Sequence, residues 1–441
     1  MKHVLAISTI YPNAVQPRFG TFVARSLEAL AQRVPGPTAQ AGAWRVSVVN
    51  PIGLPLLALG RYRPLADLAP REDMNRVTVH RPHFTLIPRI GARRNAQAIA
   101  KAVLPLARTI HAQTPIDVID AQYFFPDGPA AALVARELGL PLSIKARGSD
   151  VNYWGAKGFA RAQMLSAADQ ATGLLSVSNA LRREMVALGM PEAKIALHYT
   201  GLDRDLFRPL DHDRLRAQLS TELGVDLPDG VPLFACVGTI NRHKGHDIAL
   251  RALAELSRDH PEARMLHVGK GDEEAALRSL ASELGLETRV HFTGSIDHTL
   301  LPIILSAADA LVLPTQNEGL ANAWVEAIAC GTPVITSDVG GAGELVTSDV
   351  AGRLVAREPS AVAQAMRAVI ADPPDPQAVA AHAEAFDWRV HADQLAAYYD
   401  RLSARGAASD LPGCARSRGT FLLFDVGFRR HEAVRVDPQP D

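Results

Sequence analysis

The stretch "NEGLANAWVEAIACGTPVI" (317–335) decides how the rest of the chain is read. Just before it, "ADALVLPT" (308–315) is a short apolar run of the kind that forms a buried parallel strand. "QNEGLAN" (316–322) is polar and carries Gly319, so it reads as a loop. "AWVEAIAC" (323–330) has helical character, and Gly331 stops it. Glu318 then lies in the loop above the carboxyl end of the strand, and Glu326 lies two turns into the helix.

On one continuous helix these two carboxylates would stand roughly 80° and 12 Å apart. That is too far for one metal ion or a shared proton. A glycosidase acid and nucleophile need about 5–10 Å, which residues outside a regular helix still reach. Between the two glutamates lie the free N–H groups of a helix N-terminus, where a pyrophosphate binds readily. The arrangement suits a ligand with hydroxyls on both sides of a diphosphate, as in a nucleotide sugar. A loop glutamate and a helix glutamate with no ligand fit the same residues.

The same grammar runs through both halves of the chain. Apolar runs at 2–8, 44–50, 76–81, 116–121, 141–146, 171–178 and 194–199 alternate with helical segments at 21–33, 94–111, 128–138 and 178–188. Ser178 is the expected N-cap of the last helix. Charge and proline interrupt the pattern at 207–230, and strands resume at 231–238, 263–269, 289–294, 308–314 and 332–337. The expectation is α/β, with two doubly wound Rossmann-like domains facing across a cleft. The divisions fall at 1–205, 206–375, helices over 376–405 that return to the first domain, and a poorly ordered tail over 406–441. Ligands on such sheets bind beyond the carboxyl ends of the strands.

With 46 basic and 47 acidic residues in 441, bulk charge gives no reason to expect nucleic acid. Cys236, Cys330 and Cys414 are far apart, match no metal spacing and form no disulfide framework, which fits a reducing cytoplasm. "MKHVLAISTIYPN" reads as a first strand rather than a signal peptide, and no apolar run reaches about 18 residues. The segment 84–111 mixes Arg89, Arg93, Arg94 and Lys101 with apolar residues. It reads either as a helix lying on an anionic membrane surface or as an ordinary amphipathic core helix. The expected location is the cytoplasm, with peripheral contact on the inner face of the plasma membrane.

Glycine-bearing strand ends supply the remaining candidates. "VGTINRHKGHD" (237–247) puts Arg242 and Lys244 after a strand, where two cations neutralise a diphosphate or form a solvated basic loop. "VGKGDEE" (268–274) is a strand-to-helix turn without the Lys-Ser/Thr ending of a phosphate loop. "VGGAGELV" (339–346) sets Glu344 behind a Gly-Gly loop. "PRFGTF" (17–22) places Arg18 and Gly20 before a helix, another anion-ready terminus. "KARGSDVNYWG" (145–155) offers Lys145, Arg147, Asp150, Tyr153 and Trp154 for hydrogen bonds and stacking on a sugar, or an ordinary Arg-Asp surface pair.

Taken in order, "PNAVQPRFGTFV", "RGSD", "VSNALRREMVALG", "GLDRDLFRP", "VGTINRHKG", "NEGLANAWVEAIACGTPVI" and "VGGAGELV" resemble glycosyltransferase family four, of the GT-B fold. The resemblance covers about residues 1–400 and is nearest to bacterial exopolysaccharide or teichuronic-acid-type members. It implies metal-independent, retaining transfer from a UDP- or GDP-sugar, without a cofactor, to a surface glycan or polyprenyl-linked acceptor. By the family motif Glu318 binds donor-sugar hydroxyls, Glu326 the ribose, and Gly319, Leu320, Ala321 and Asn322 bring backbone amides to the sugar and diphosphate. Lys244 holds the leaving group, with Arg242 beside it, and Gly20 approaches from the other domain. Gly238, Thr239, Gly269 and Asp150 complete the donor side, Arg147 joins the catalytic set, and Arg18 and Glu344 belong to the acceptor side. Two positions depart from the family pattern. Thr239 stands where an arginine is common, and Arg147 where many members carry histidine. These departures leave open a catalytically silent nucleotide-sugar-binding partner. A GT-B UDP-sugar epimerase is a further alternative. An NAD-dependent oxidoreductase is disfavoured, because no G-x-G-x-x-G follows the first strand.

Overall fold

The computed structural model describes residues 1–34, 42–87, 91–211 and 214–409. Arg89, Cys414 and the tail from 410 lie outside the described residues. In the first half the strands are β1 (Lys2–Ile7), β2 (Trp44–Val49), β3 (Ile52–Leu54), β4 (Arg71–Met74), β5 (Val77–His80), β6 (His83–Thr85), β7 (Val118–Ala121), β8 (Leu142–Ala146), β9 (Gly173–Ser176) and β10 (Ile195–Leu197). Eight of them form a sheet in the order β10-β9-β8-β7-β1-β2-β5-β4. Every pair is parallel except β4 with β5. The central strands are buried on both faces, which is why they read as unbroken apolar runs.

The second half holds β11 (Leu233–Val237), β12 (Arg264–Val268), β13 (Val290–Gly294), β14 (Ala310–Leu313), β15 (Val334–Ser337) and β16 (Gly352–Val355). They form an all-parallel sheet in the order β13-β12-β11-β14-β15-β16. In each sheet the strand order reverses once, between β1 and β7 and between β11 and β14. At such a reversal neighbouring loops leave in opposite directions and open a crevice for ligands. The Gly20 loop follows β1 and the loop carrying Gln122 follows β7. Likewise the Lys244 loop follows β11 and the Glu318 loop follows β14. The principal candidates therefore stand at the two reversals.

The helix over 94–111 is observed as Asn95–Gln113, with Ile99, Val103, Ala107 and Ile110 buried against the first sheet's core. Its apolar stripe is thus core, while Lys101 and Arg108 face outward. The short strands β3, β4, β6 and β16 carry no alternation strong enough to mark them in the sequence.

The chain crosses between the sheets twice. Trp388 N–H donates to the Leu202 carbonyl (3.1 Å), and Leu202 N–H donates to the Phe386 carbonyl. A side chain at Gly201 would collide with the Trp388 ring, so glycine lets the two crossings lie side by side. After the second crossing, helix Trp388–Ser409 packs on helix Thr21–Gln32, with Leu395, Tyr399 and Leu402 in the same apolar cluster as Trp44 and Leu27. Near its start, the His391 carbonyl meets His198 Nε2 at 3.0 Å, and His198 Nδ1 meets the buried Lys145 Nζ at 2.6 Å.

Burial pulls His391 down to about 4, so it is neutral in the folded protein. Between that value and the ordinary histidine pKa near 6.5, the unfolded chain binds the extra proton, so stability rises with pH across this window. The melting temperature should fall as pH is lowered from 6.5 to 4.5, more steeply for wild type than for His391→Gln. Equal slopes in parallel thermal melts would contradict the assignment.

Candidate active site

The loop after β14 is held from below by glycines. A side chain at Gly340, whose φ is +53°, would collide with the Glu318 carbonyl, and Gly341 N–H donates to the Gly319 carbonyl at 2.7 Å. The loop after β11 is stitched to the same rim. Gln316 N–H donates to the His243 carbonyl (2.7 Å), Thr315 Oγ1 donates to it as well (3.0 Å), and Arg357 binds the carbonyls of Arg242 and Pro314. These tethers bring Lys244 Nζ onto Glu318 Oε2 as an ion pair. Both side chains keep about a fifth of their surface exposed, at 21% and 22%. The exposed fraction lets an incoming diphosphate compete with the Glu318 carboxylate for Lys244.

From the first domain, the Arg147–Gly148–Ser149–Asp150 turn meets this loop backbone to backbone. A Cβ on Gly148 would lie 3.1 Å from Gly319 Cα, and one on Gly319 would lie 2.7 Å from the Arg147 carbonyl oxygen. Asn152 Nδ2 donates to Asn317 Oδ1 across the same gap at 2.9 Å. Asp150 shapes the turn rather than facing a ligand. Its buried carboxylate accepts the N–H groups of Phe124 (2.7 Å), Gly148 (2.8 Å), Arg147 (2.9 Å) and Val151 (3.0 Å). Burial pushes its pKa up, and these N–H groups pull against that.

Arg147 donates from Nε to the Gln122 carbonyl (3.1 Å) and from Nη2 to Oε1 of the same residue, and lies over the Phe22 ring at 4.9 Å. Its buried Nη1 has no partner. Burial lowers its pKa to about 10, so it remains a cation at neutral pH.

Two helix N-termini converge on a narrow crevice lined by Thr21, Phe22, Arg25, Asn322, Glu326 and His298, among others. Helix Thr21–Gln32 begins after Gly20, whose φ of +74° and packing under the Ile10 carbonyl exclude a side chain. Helix Asn322–Ala329 begins after Ala321. Neither has a side-chain cap, so both direct free N–H groups and partial positive charge into the gap. Glu326 is one turn into its helix, not two, and sits 3.6 Å from His298 Nε2. His298 Nδ1 in turn lies 3.4 Å from Arg25 of the first domain. Neither His298 nor Arg25 was singled out in the sequence, although "GSIDHT" (294–299) follows a strand on the same rim.

Several candidates take other places. Arg242 is largely exposed and pairs outward with Glu273 at 3.1 Å, so it does not stand with Lys244 in this structure. Thr239 is exposed in the same loop. Gly269, at φ +137°, packs under the Gly238 carbonyl and serves the turn. Arg18 is exposed near Asp297, whose carboxyl the Thr299 hydroxyl and N–H hold low, with Arg18 adding to the effect. Instead of facing an acceptor, Glu344 caps helix Asn179–Ala187 across the two halves. It accepts from Asn179 N–H (2.9 Å), Ala180 N–H (2.9 Å) and the Tyr199 hydroxyl (2.8 Å). Ser178 Oγ caps that helix too, accepting from Leu181 N–H.

Among the described residues, the cluster with metal-ligating chemistry is Cys236, His246 and His267, buried behind the Lys244 loop. The Cys236 Sγ to His246 Nδ1 distance is 3.2 Å, and the two Nδ1 atoms are 3.0 Å apart. Burial pushes the thiol up and pulls both imidazoles down, so all three are neutral core groups here.

Glu344→Ala removes a carboxylate from a helix N-terminus and a tie between the halves. It should cost about 1–2 kcal/mol in chemical denaturation. It should also raise the radius of gyration in small-angle scattering. Unchanged stability and scattering would contradict the tie.

Comparison with known proteins agrees with this geometry. The model "Glycosyl transferases group 1" matches residues 224–386, and "Glycosyltransferase Family 4" matches residues 41–206. A D-inositol 3-phosphate glycosyltransferase 1 of Catenulispora acidiphila is 32% identical over 319 residues, spanning 66% of this chain and 74% of the relative. The D-inositol 3-phosphate glycosyltransferase of Mycobacterium bovis is 34% identical over 284 residues, or 60% of this chain and 56% of that longer protein. Among solved structures, sucrose-phosphate synthase from Thermosynechococcus elongatus superposes with a TM-score of 0.73 at 23% identity, covering 92% of this chain and all of that one. Anabaena HepE in complex with UDP and glucose superposes at 0.62 with 20% identity, covering 93% and 99%. The chain belongs to glycosyltransferase family 4, with the GT-B fold of two Rossmann-like domains, and is a glycosyltransferase.

Proposed function

We propose that this protein is a retaining, metal-independent glycosyltransferase that moves a sugar from a UDP- or GDP-sugar to a bacterial surface-glycan or polyprenyl-linked acceptor. The observation that carries the reading is the crevice between two uncapped helix N-termini, at Thr21 and Asn322, lined also by Glu326, with the Lys244–Glu318 pair held on the loops after β11 and β14. A diphosphate placed there receives backbone N–H groups from both domains. Glu326 then accepts ribose hydroxyls at one end, and Glu318 accepts sugar hydroxyls at the other.

In the reaction the bond from the anomeric carbon to the diphosphate oxygen breaks, and the acceptor oxygen bonds to that carbon. The acceptor proton leaves with the products. Charge develops on the leaving diphosphate, so groups aimed at it lower the barrier. Lys244 is the cation for this task, because its partly exposed side chain is able to exchange the Glu318 carboxylate for the diphosphate. Arg147 is a fixed cation, held by Gln122 at the position where many members of the family carry histidine. The solved complex of HepE with UDP and glucose supports a UDP-sugar among the donors. Retention is the outcome that the resemblance to family four implies.

Transfer is testable before the acceptor is known, through slow hydrolysis of the donor. Release of UDP or GDP from the matching sugar nucleotide should fall about 10²–10³-fold in Lys244→Ala, with the fold intact by circular dichroism. Wild-type hydrolysis should survive EDTA. A full rate in Lys244→Ala, or loss in EDTA restored by added metal, would overturn the assignment.

A further inference from the structure

The apolar surface that the fold leaves uncovered lies on the first domain. Leu56, Leu57 and Leu59 are 91%, 75% and 70% exposed, on the segment that leaves β3 at the carboxyl-end rim of the sheet. Three leucines this exposed within four residues are unusual for a surface that meets only water. Strand β3 pairs with β6, and Leu86 N–H donates to the Leu54 carbonyl, which brings Ile87, itself 47% exposed, beside the same loop.

The surface continues from there through direct contacts. Gly91 N–H donates to the Ile87 carbonyl, and the Arg93 guanidinium lies over the Phe159 ring at 5.3 Å. Phe159 meets Trp154 edge-on, Trp154 meets Tyr153, and Lys157 Nζ stands 4.3 Å above the Tyr153 ring. Tyr153 is 60% exposed.

The charge on these segments has one sign. Residues 52–66, 83–97 and 153–163 contain no aspartate or glutamate, while Arg61, Arg63, Arg93, Arg94, Lys157 and Arg161 all lie within them. Leucines at the tip, aromatic rings at the margin and cations around them match the layers of a bilayer leaflet with anionic headgroups. The helix over 95–113 cannot supply this contact through its apolar stripe, which is buried in the core.

We infer that Leu56, Leu57 and Leu59, with Arg61 and Arg63 behind them, dock the first domain on an anionic lipid surface. The contact deepens the proposed function, since it would set the acceptor-facing rim of the cleft at the membrane, where a polyprenyl-linked acceptor is found. The leucines enter the leaflet and the arginines stay at the phosphates. Each cation adds about fivefold to affinity at low ionic strength.

Co-sedimentation of the full chain with vesicles tests the surface. Wild type should pellet with vesicles containing phosphatidylglycerol, pellet weakly with pure phosphatidylcholine, and dissociate as salt is raised. The triple variant Leu56→Glu, Leu57→Glu, Leu59→Glu should bind at least about tenfold more weakly. The separate pair Arg61→Glu, Arg63→Glu should lose most of the preference for anionic lipid. Melting curves with and without UDP and GDP, run on each variant, report the fold and the nucleotide site independently of the membrane. Absence of binding by wild type, or equal binding by the triple variant, would overturn the inference. So would a wild-type dimer in gel filtration that the triple variant dissolves without any vesicle binding, since the leucines would then pair two copies of this chain.

Discussion

Gly319 has backbone on both sides, and the geometry of the cleft depends on that. The Arg147 carbonyl and Gly148 lie against one face. On the other side Gly340 and Gly341 close up under the Glu318 and Gly319 carbonyls. A single Cβ at Gly319 or Gly340 would push main chain apart, because no flexible side-chain end is present to yield. This contact fixes the height of Glu318 above its strand, sets it against Lys244, and joins the loop after β8 of the first domain to the loop at the reversal of the second sheet. Four chain segments from two domains meet with the precision of backbone packing, while the charged ends of Lys244 and Glu318 stay free to exchange partners.

The electrostatics follow from the same placement. Parallel sheets align their helices so that N-termini collect at the carboxyl ends of the strands. Where two such sheets face one another, two sets of partial positive charge face one another too. Helices Thr21–Gln32 and Asn322–Ala329 begin without side-chain caps at that place, whereas Asn179–Ala187 is capped by both Ser178 and Glu344. The difference separates N-termini that hold the protein together from N-termini that remain available to an anion.

Much of the fold was legible because buried parallel strands must be apolar throughout. β1, β2, β7, β8, β9, β11, β12, β14 and β15 each coincide with an apolar run in the sequence. β3, β4, β6 and β16 escaped because three or four half-exposed residues impose no pattern. At the site, Glu318, Glu326, Lys244 and Gly20 were found from strand–loop–helix order, and the resemblance to family four gave them roles. Partners that depend on tertiary folding were not legible. Nothing local in the sequence says that Glu344 caps a helix 165 residues earlier, that Arg242 turns to Glu273, or that Asp150 is consumed by its own turn. His298 was missed for a related reason. It carries no motif, and only the folded chain sets it between Glu326 and Arg25.

The central claim is that a nucleotide sugar binds across this cleft with its ribose at Glu326. A panel of UDP- and GDP-sugars, with UDP and GDP alone, should be screened by thermal shift on wild type and Glu326→Ala in parallel. A ligand that binds only the folded state stabilises it, by about 2.7 kcal/mol at a hundredfold excess over Kd, and so raises the melting temperature. The account predicts that one donor stabilises wild type and that the shift collapses in Glu326→Ala. A well-folded wild type that responds to none of the nucleotides, or a Glu326→Ala variant that responds as strongly as wild type, would contradict it.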